Sequence, residues 1–128
     1  MKCLLDTHAF IWLITEDPKL SPAACDCIFD GRTRLYLSSA SVWEIVIKCT
    51  IGKLRLPGHP QAFISRQLAT NSIEELPITF KHVFHLQQLP DHHKDPFDRM
   101  LVAQAISEKL SIITIDPIIA QYPVKTIW

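Results

Sequence analysis

The 128-residue chain has no net charge, with 13 basic and 13 acidic side chains. It therefore lacks the broad basic field of a protein that coats nucleic acid electrostatically. Any nucleic-acid contact is expected to be local, made by a few cations beside a chemical centre. No window approaches the roughly 18 continuous apolar residues expected of a membrane span. An acid, Asp6, also stands where a secretory leader would still be apolar. Cys3, Cys25, Cys27 and Cys49 include no Cys-x-x-Cys pair, so they read as buried free thiols of a reducing compartment. Internal repeats and low-complexity tracts are missing too. These absences lead us to expect one cytoplasmic domain spanning residues 1–128, with no membrane association.

What is present is a globular composition, 48% hydrophobic and 20% charged, long enough to bury a core without disulfides. The short apolar run Cys3–Leu5 stops at Asp6 and predicts a first strand, with a helix from Thr7 to Ile14. Ser21-Pro22 opens a second helix ending near Gly31, and Leu35-Tyr36-Leu37 predicts a second strand. From Ala40 to Ile51 apolar residues cover most of a helical surface, which predicts a buried helix. A helix from Pro60 to Asn71, a strand at Ile73–Leu76 and a helix over Thr79–Gln88 follow. A polar loop at 90–95 leads into a helix from Pro96 to about Lys109. The run Ile112–Ile115 predicts a strong strand ending at Asp116, and Val124–Ile127 a last edge strand. Strands alternating with helices imply an α/β fold: a mostly parallel sheet covered on both faces, with its working crevice at the carboxyl ends of the strands.

Acids fall at that edge. Asp6 and Asp116 end two apolar strands, while Glu44 and Asp98 are expected in the first turns of apolar helices. Each has an ordinary explanation. Asp6 suits a helix cap, Ser41 with Glu44 matches a capping box, and Glu44 can pair with Lys48. Asp95-Pro96 is a good cap and first helical residue, Asp98 suits the helix dipole, and Asp116-Pro117 suits a turn. Taken together they imply more. Asp98 shares a helical face with Leu101, Val102 and Ala105, and Glu44 lies in line with Ile47 and Ile51. Acids drawn inward beside one another repel and resist ionisation unless a cation sits among them. Oxygen ligands and water suit Mg²⁺ or Mn²⁺.

The segments Leu4-Leu5-Asp6-Thr7-His8, Ser39-Ala40-Ser41-Val42-Trp43-Glu44-Ile45, Asp95-Pro96-Phe97-Asp98-Arg99 and Thr114-Ile115-Asp116 occur in that order. They resemble the acidic motifs of PIN domains, particularly VapC-type toxins of bacterial toxin–antitoxin pairs, over essentially the whole chain. The resemblance implies a PIN-like three-layer sandwich and a Mg²⁺-dependent ribonuclease, with Mn²⁺ as a substitute. Asp6 and Asp98 match the principal metal-binding aspartates, Glu44 the acid of the third helix, and Asp116 the acid after the late strand. Asp95 ranks below these four. Thr114 matches a hydroxyl residue that holds a carboxylate or water. The implied reaction is hydrolysis of an RNA phosphodiester by metal-activated water. An antitoxin partner and a homodimer are implied as well.

Lys48, Lys53, Arg55, Lys94 and Arg99 are candidates for gripping RNA phosphates. The adjacent pair His92-His93, and His82 with His85, lack the spacing of a zinc site, so the histidines are left out of the chemistry. His8 and Trp12 share a helix face near Asp6. The apolar segments Ala9–Ile14 and Trp43–Ile51 are either core or a surface for an antitoxin or second subunit. A haloacid-dehalogenase-type phosphatase needs a second aspartate where His8 stands, and a receiver domain needs an acidic pair where Leu5-Asp6 supplies one acid. The remaining alternative is a catalytically silent PIN-like module that only binds a partner.

Overall fold

Successive side chains of a strand face opposite ways, and in the first strand, β1 (Lys2–Leu5), this alternation divides the interior in two. Cys3 and Leu5 enter one apolar cluster while Leu4 enters another. In the computed structural model, which describes residues 1–128, the same alternation recurs in the fourth strand, where Ile113 joins the first cluster and Ile112 the second. Both faces of the sheet are therefore covered, as near-continuous apolar strands require.

The elements in chain order are β1, α1 (Thr7–Ile14), α2 (Pro22–Phe29), β2 (Arg34–Ser38), α3 (Ser39–Thr50), α4 (Pro60–Thr70), β3 (Ile73–Leu76), α5 (Phe80–His85), α6 (Pro96–Glu108), β4 (Ser111–Ile113) and β5 (Thr126–Ile127). Short 3₁₀ turns span Leu86–Gln88 and Ile119–Gln121. All strand pairs are parallel, in the order β3-β2-β1-β4-β5. The expected α/β sandwich is present, with a wholly parallel sheet. One cluster packs Phe10 and Ile14 of α1, Ala24 and Ile28 of α2, Ile45 of α3 and Phe63 and Ile64 of α4 on the sheet. The other packs Leu101, Val102 and Ala105 of α6 with Ile119 and Tyr122.

The strand order sets the working edge. The chain moves outward from β1 to β2 and β3, then returns to lay β4 on the other side of β1. Such a reversal opens a crevice at the carboxyl ends of the two central strands. Asp6 follows β1 and Thr114 follows β4, so both stand at its mouth.

Three local expectations change. β4 ends at Ile113 rather than Ile115, because the Thr114 amide makes its last ladder bond, to Ile127 O at 3.1 Å, before the chain turns. Helix α3 begins earlier than expected, capped by Ser38, whose Oγ accepts the Ala40 amide at 3.0 Å. Ser41 is consequently inside the first turn, where its buried Oγ accepts the Thr7 hydroxyl at 2.9 Å, and Glu44 is in the second turn. The capping box is not formed.

Helix α3 is also not buried all round. Ala40, Ser41 and Ile45 face inward, whereas Trp43 is 61% exposed, Ile47 is 37% exposed, and Val46 and Ile51 are exposed as well. Its main packing, against α1, α6 and β2, leaves these four side chains open to solvent. The segment Ala9–Ile14 is the opposite case: Ala9, Phe10, Ile11 and Ile14 are core.

This division within one helix is measurable by urea unfolding. Ile45→Ala should cost about 2–5 kcal/mol through the cavity it leaves. Ile47→Ala should cost less than about 1 kcal/mol, because its side chain already meets solvent.

Candidate metal centre

Asp6 occupies the N-cap position of α1, yet its side chain makes no capping bond. It is only 4% exposed. Its Oδ2 accepts the Thr114 hydroxyl at 2.7 Å, while Oδ1 is buried with no hydrogen-bond partner. Thr114 Oγ1 also accepts the Asp116 amide at 3.0 Å, tying the turn after β4 to the acid after β1. Asp116 forms a local turn as well, its Oδ1 accepting the Ile118 amide at 2.8 Å. The turn bond engages only one of its two carboxylate oxygens.

Asp98 arrives from the first turn of α6. The helix starts there because Asp95 Oδ1 accepts the amides of Phe97 (2.8 Å) and Asp98 (3.4 Å), and Pro96 suits the first position. Asp95 is thus engaged as a cap, and Asp98 is carried inward by the buried stripe of Leu101, Val102 and Ala105. Asp6, Asp98 and Asp116 line one cleft of about 450 Å³, together with His8, Trp12, Ile115 and Pro117. Glu44 does not line it. Its Oε2 pairs with Lys48 at 3.3 Å, and its charge still reaches Asp98 from α3.

The electrostatics follow from crowding. Burial, and then the negative charges of Asp6 and Asp95, push the Asp98 carboxyl up to about 7; His93 opposes the shift and Glu44 adds to it. Burial also raises Asp6, against the Thr114 hydrogen bond, His8 and the Thr7 amide, with Asp116 adding to the rise. The arrangement resists holding its full negative charge without a cation.

Sequence reasoning missed one participant. His93 Nε2 lies 3.1 Å from Asp98 Oδ2 and 3.0 Å from Asp116 Oδ2. One potential ligand atom from each of these three residues lies within 4.8 Å of the other two. The sequence signal for it is position: His93 sits two residues before Asp95, the cap of α6, on the same edge as the acids.

The cations divide. Lys48 is held by Glu44. Arg99 donates to Pro90 O at 3.0 Å, Tyr122 Oη at 3.3 Å and Leu86 O at 3.4 Å, bracing the loop before α6. Lys53, Arg55 and Lys94 are exposed.

The donor set fits a hard divalent ion. It offers carboxylate oxygens from separate elements, and the buried, unpartnered Oδ1 of Asp6 is the atom most costly to leave bare.

A family model described as PIN domain matches residues 3–125. The chain belongs to the PIN-domain family. Among solved structures it is similar to VapBC2 from Rickettsia felis bound to a DNA fragment from their promoter. That match has a TM-score of 0.75 and 16% identity, covering 98% of this chain and 97% of that one. It is also similar to VapBC-1 from nontypeable Haemophilus influenzae, with a TM-score of 0.61 and 20% identity, covering 98% and 96%. At these identities the likeness is one of fold. No curated protein sequence matches the chain significantly.

The raised Asp98 carboxyl gives this PIN domain a specific pH response. Unfolded, that carboxyl titrates near 3.9, so between about 4 and 7 the folded chain binds more protons than the unfolded one. Metal-free stability should therefore fall as pH rises through that window. Differential scanning fluorimetry at pH 7.5 should show Asp98→Asn melting higher than the wild type without metal, by roughly 3–6 °C. Added Mg²⁺ or Mn²⁺ should stabilise the wild type and not the variant.

Proposed function

We propose that this PIN domain is a Mg²⁺-dependent endoribonuclease, with Mn²⁺ as a substitute, and the toxin of a toxin–antitoxin pair. The observation that carries the nuclease reading is the convergence of Asp6, Asp98 and Asp116 on one cleft, with Oδ1 of Asp6 buried and unpartnered. Asp6 and Asp98 would hold the ion directly, while Asp116 and Glu44 complete the acidic shell or orient water. When bound, a divalent ion supplies Lewis acidity to a phosphodiester and lowers the pKa of a water. The chain itself contributes position. Thr114 fixes one oxygen of Asp6 and leaves the other available. Trp12 and His8, whose rings lie 5.8 Å apart, wall the cleft where substrate would lie. Lys53, Arg55 and Lys94 are free to hold phosphates, whereas Lys48 and Arg99 are engaged within the protein.

Cutting should depend on the buried carboxylate. With a mixed RNA pool and Mg²⁺, Asp6→Asn should cleave about 100-fold or more slowly than the wild type, the scale of losing one preorganised electrostatic group. Sequenced ends should show the wild-type cuts missing. Equal cutting by both proteins would refute the assignment.

The toxin role draws on the likeness to two VapBC complexes and on uncovered apolar surface. A cleft of about 540 Å³ between α3 and α4 is lined by Val42, Val46, Ile64 and Leu68, among others, and is assigned to an antitoxin segment. The exposed Trp43 and Ile47 of α3, with Phe80 and Phe84 of α5, are assigned to a second copy of the chain. Sedimentation should find the purified chain dimeric, and Ile47→Glu should shift it to monomer with little change in melting temperature. A wild-type monomer at high concentration would remove the dimer.

A further inference from the structure

We propose that His93 is a positioning residue of the acidic centre: as the Nε2–H tautomer it clamps Asp98 to Asp116 from behind, without itself ligating the ion. This rests on the metal-centre reading above and assigns a role that reading left vacant.

The tautomer follows from the hydrogen bonds. His93 Nδ1 accepts the backbone amide of Asp95 at 3.2 Å. A ring nitrogen that accepts an N–H carries a lone pair, so the ring proton is on Nε2. That nitrogen is the one standing 3.0 Å from Asp116 Oδ2 and 3.1 Å from Asp98 Oδ2. It donates to Asp116 Oδ2, and Asp98 Oδ2 stands at ion-pair distance from the same N–H, which leaves no lone pair to offer a metal. Ligation through Nε2 would require moving the proton to Nδ1, where it would meet the Asp95 N–H head on.

The surroundings hold the ring in place. The His93 amide donates to Tyr122 Oη at 2.8 Å, and Arg99 donates to the same oxygen at 3.3 Å. Arg99 also grips Pro90 O. Asp95, whose amide orients the ring, caps α6 and so sets the start of the helix bearing Asp98. Tyr122 is buried, so this bracket is anchored in the core. His93 is not among the residues lining the cleft, although both of its carboxylate partners are.

The consequence is electrostatic. Asp98 comes from a helix and Asp116 from the turn after a strand; two like charges on separate elements would splay apart. A donor between them offsets that repulsion and keeps one oxygen of each at a fixed spacing. Partners of this kind orient the direct ligands of a metal, and their loss typically weakens binding about 10–100-fold.

The test combines nitrogen NMR of ¹⁵N-histidine protein with Mn²⁺ calorimetry on the full chain. The proton should remain on Nε2 of His93 before and after saturation with diamagnetic Mg²⁺. His93→Leu should bind Mn²⁺ about 10–100-fold more weakly, and His93→Gln, whose amide can still donate, should recover most of that loss. A switch of the proton to Nδ1 on adding Mg²⁺ would make His93 a ligand and overturn the proposal, even if the leucine variant fails to fold. Wild-type Mn²⁺ affinity in a folded His93→Leu would overturn it alone. No divalent-ion binding by the wild type would overturn the metal-centre reading and this inference together.

Discussion

Negative charge is gathered where water is scarce, and the rest of the site is arranged around that constraint. Asp6 is buried with one oxygen satisfied by Thr114 and the other bare, and Asp98 is pushed up to about 7 by burial and by its acidic neighbours. A folded chain tolerates such a cluster only if packing elsewhere compensates, because crowded carboxylates oppose both folding and one another. The compensation comes from the two apolar layers that fix β1, β4 and α6, whose ends carry the acids.

Position is then maintained by a polar frame at the same edge. Thr114 links the acid after β1 to the turn after β4. Asp95 starts α6, His93 spans Asp98 and Asp116, and Tyr122 with Arg99 braces the loop. Several of these groups have ordinary structural bonds and still shape the centre. Asp116 closes a local turn with one oxygen while the other faces His93. Structural and chemical roles are therefore shared by single residues, which is economical in a chain of 128 residues.

The outer surface has a different logic. Helix α3 carries too many apolar residues for the one side it packs, leaving Trp43, Val46 and Ile47 facing outward. Exposed groups of this kind are unfavourable for an isolated chain and favour association with a protein partner. The same helix brings Glu44 near the acidic cluster, so exposed apolar surface and acidic charge are carried by a single rigid element.

Local sequence determined much of this. Short apolar runs that stop at Asp6 or near Asp116, proline at helix starts, and helical spacing behind Asp98 identified the strands, α6 and the edge where acids collect. Those signals operate within a few residues, through alternation, capping and side-chain periodicity. Only the tertiary structure decided that β4 lies beside β1, that His93 reaches two carboxylates, that Arg99 turns inward to brace a loop, and that Trp43, Val46 and Ile47 of α3 stay exposed. Each of these depends on contacts between segments far apart in sequence, and periodicity can tell that a face is apolar without telling what, if anything, packs on it.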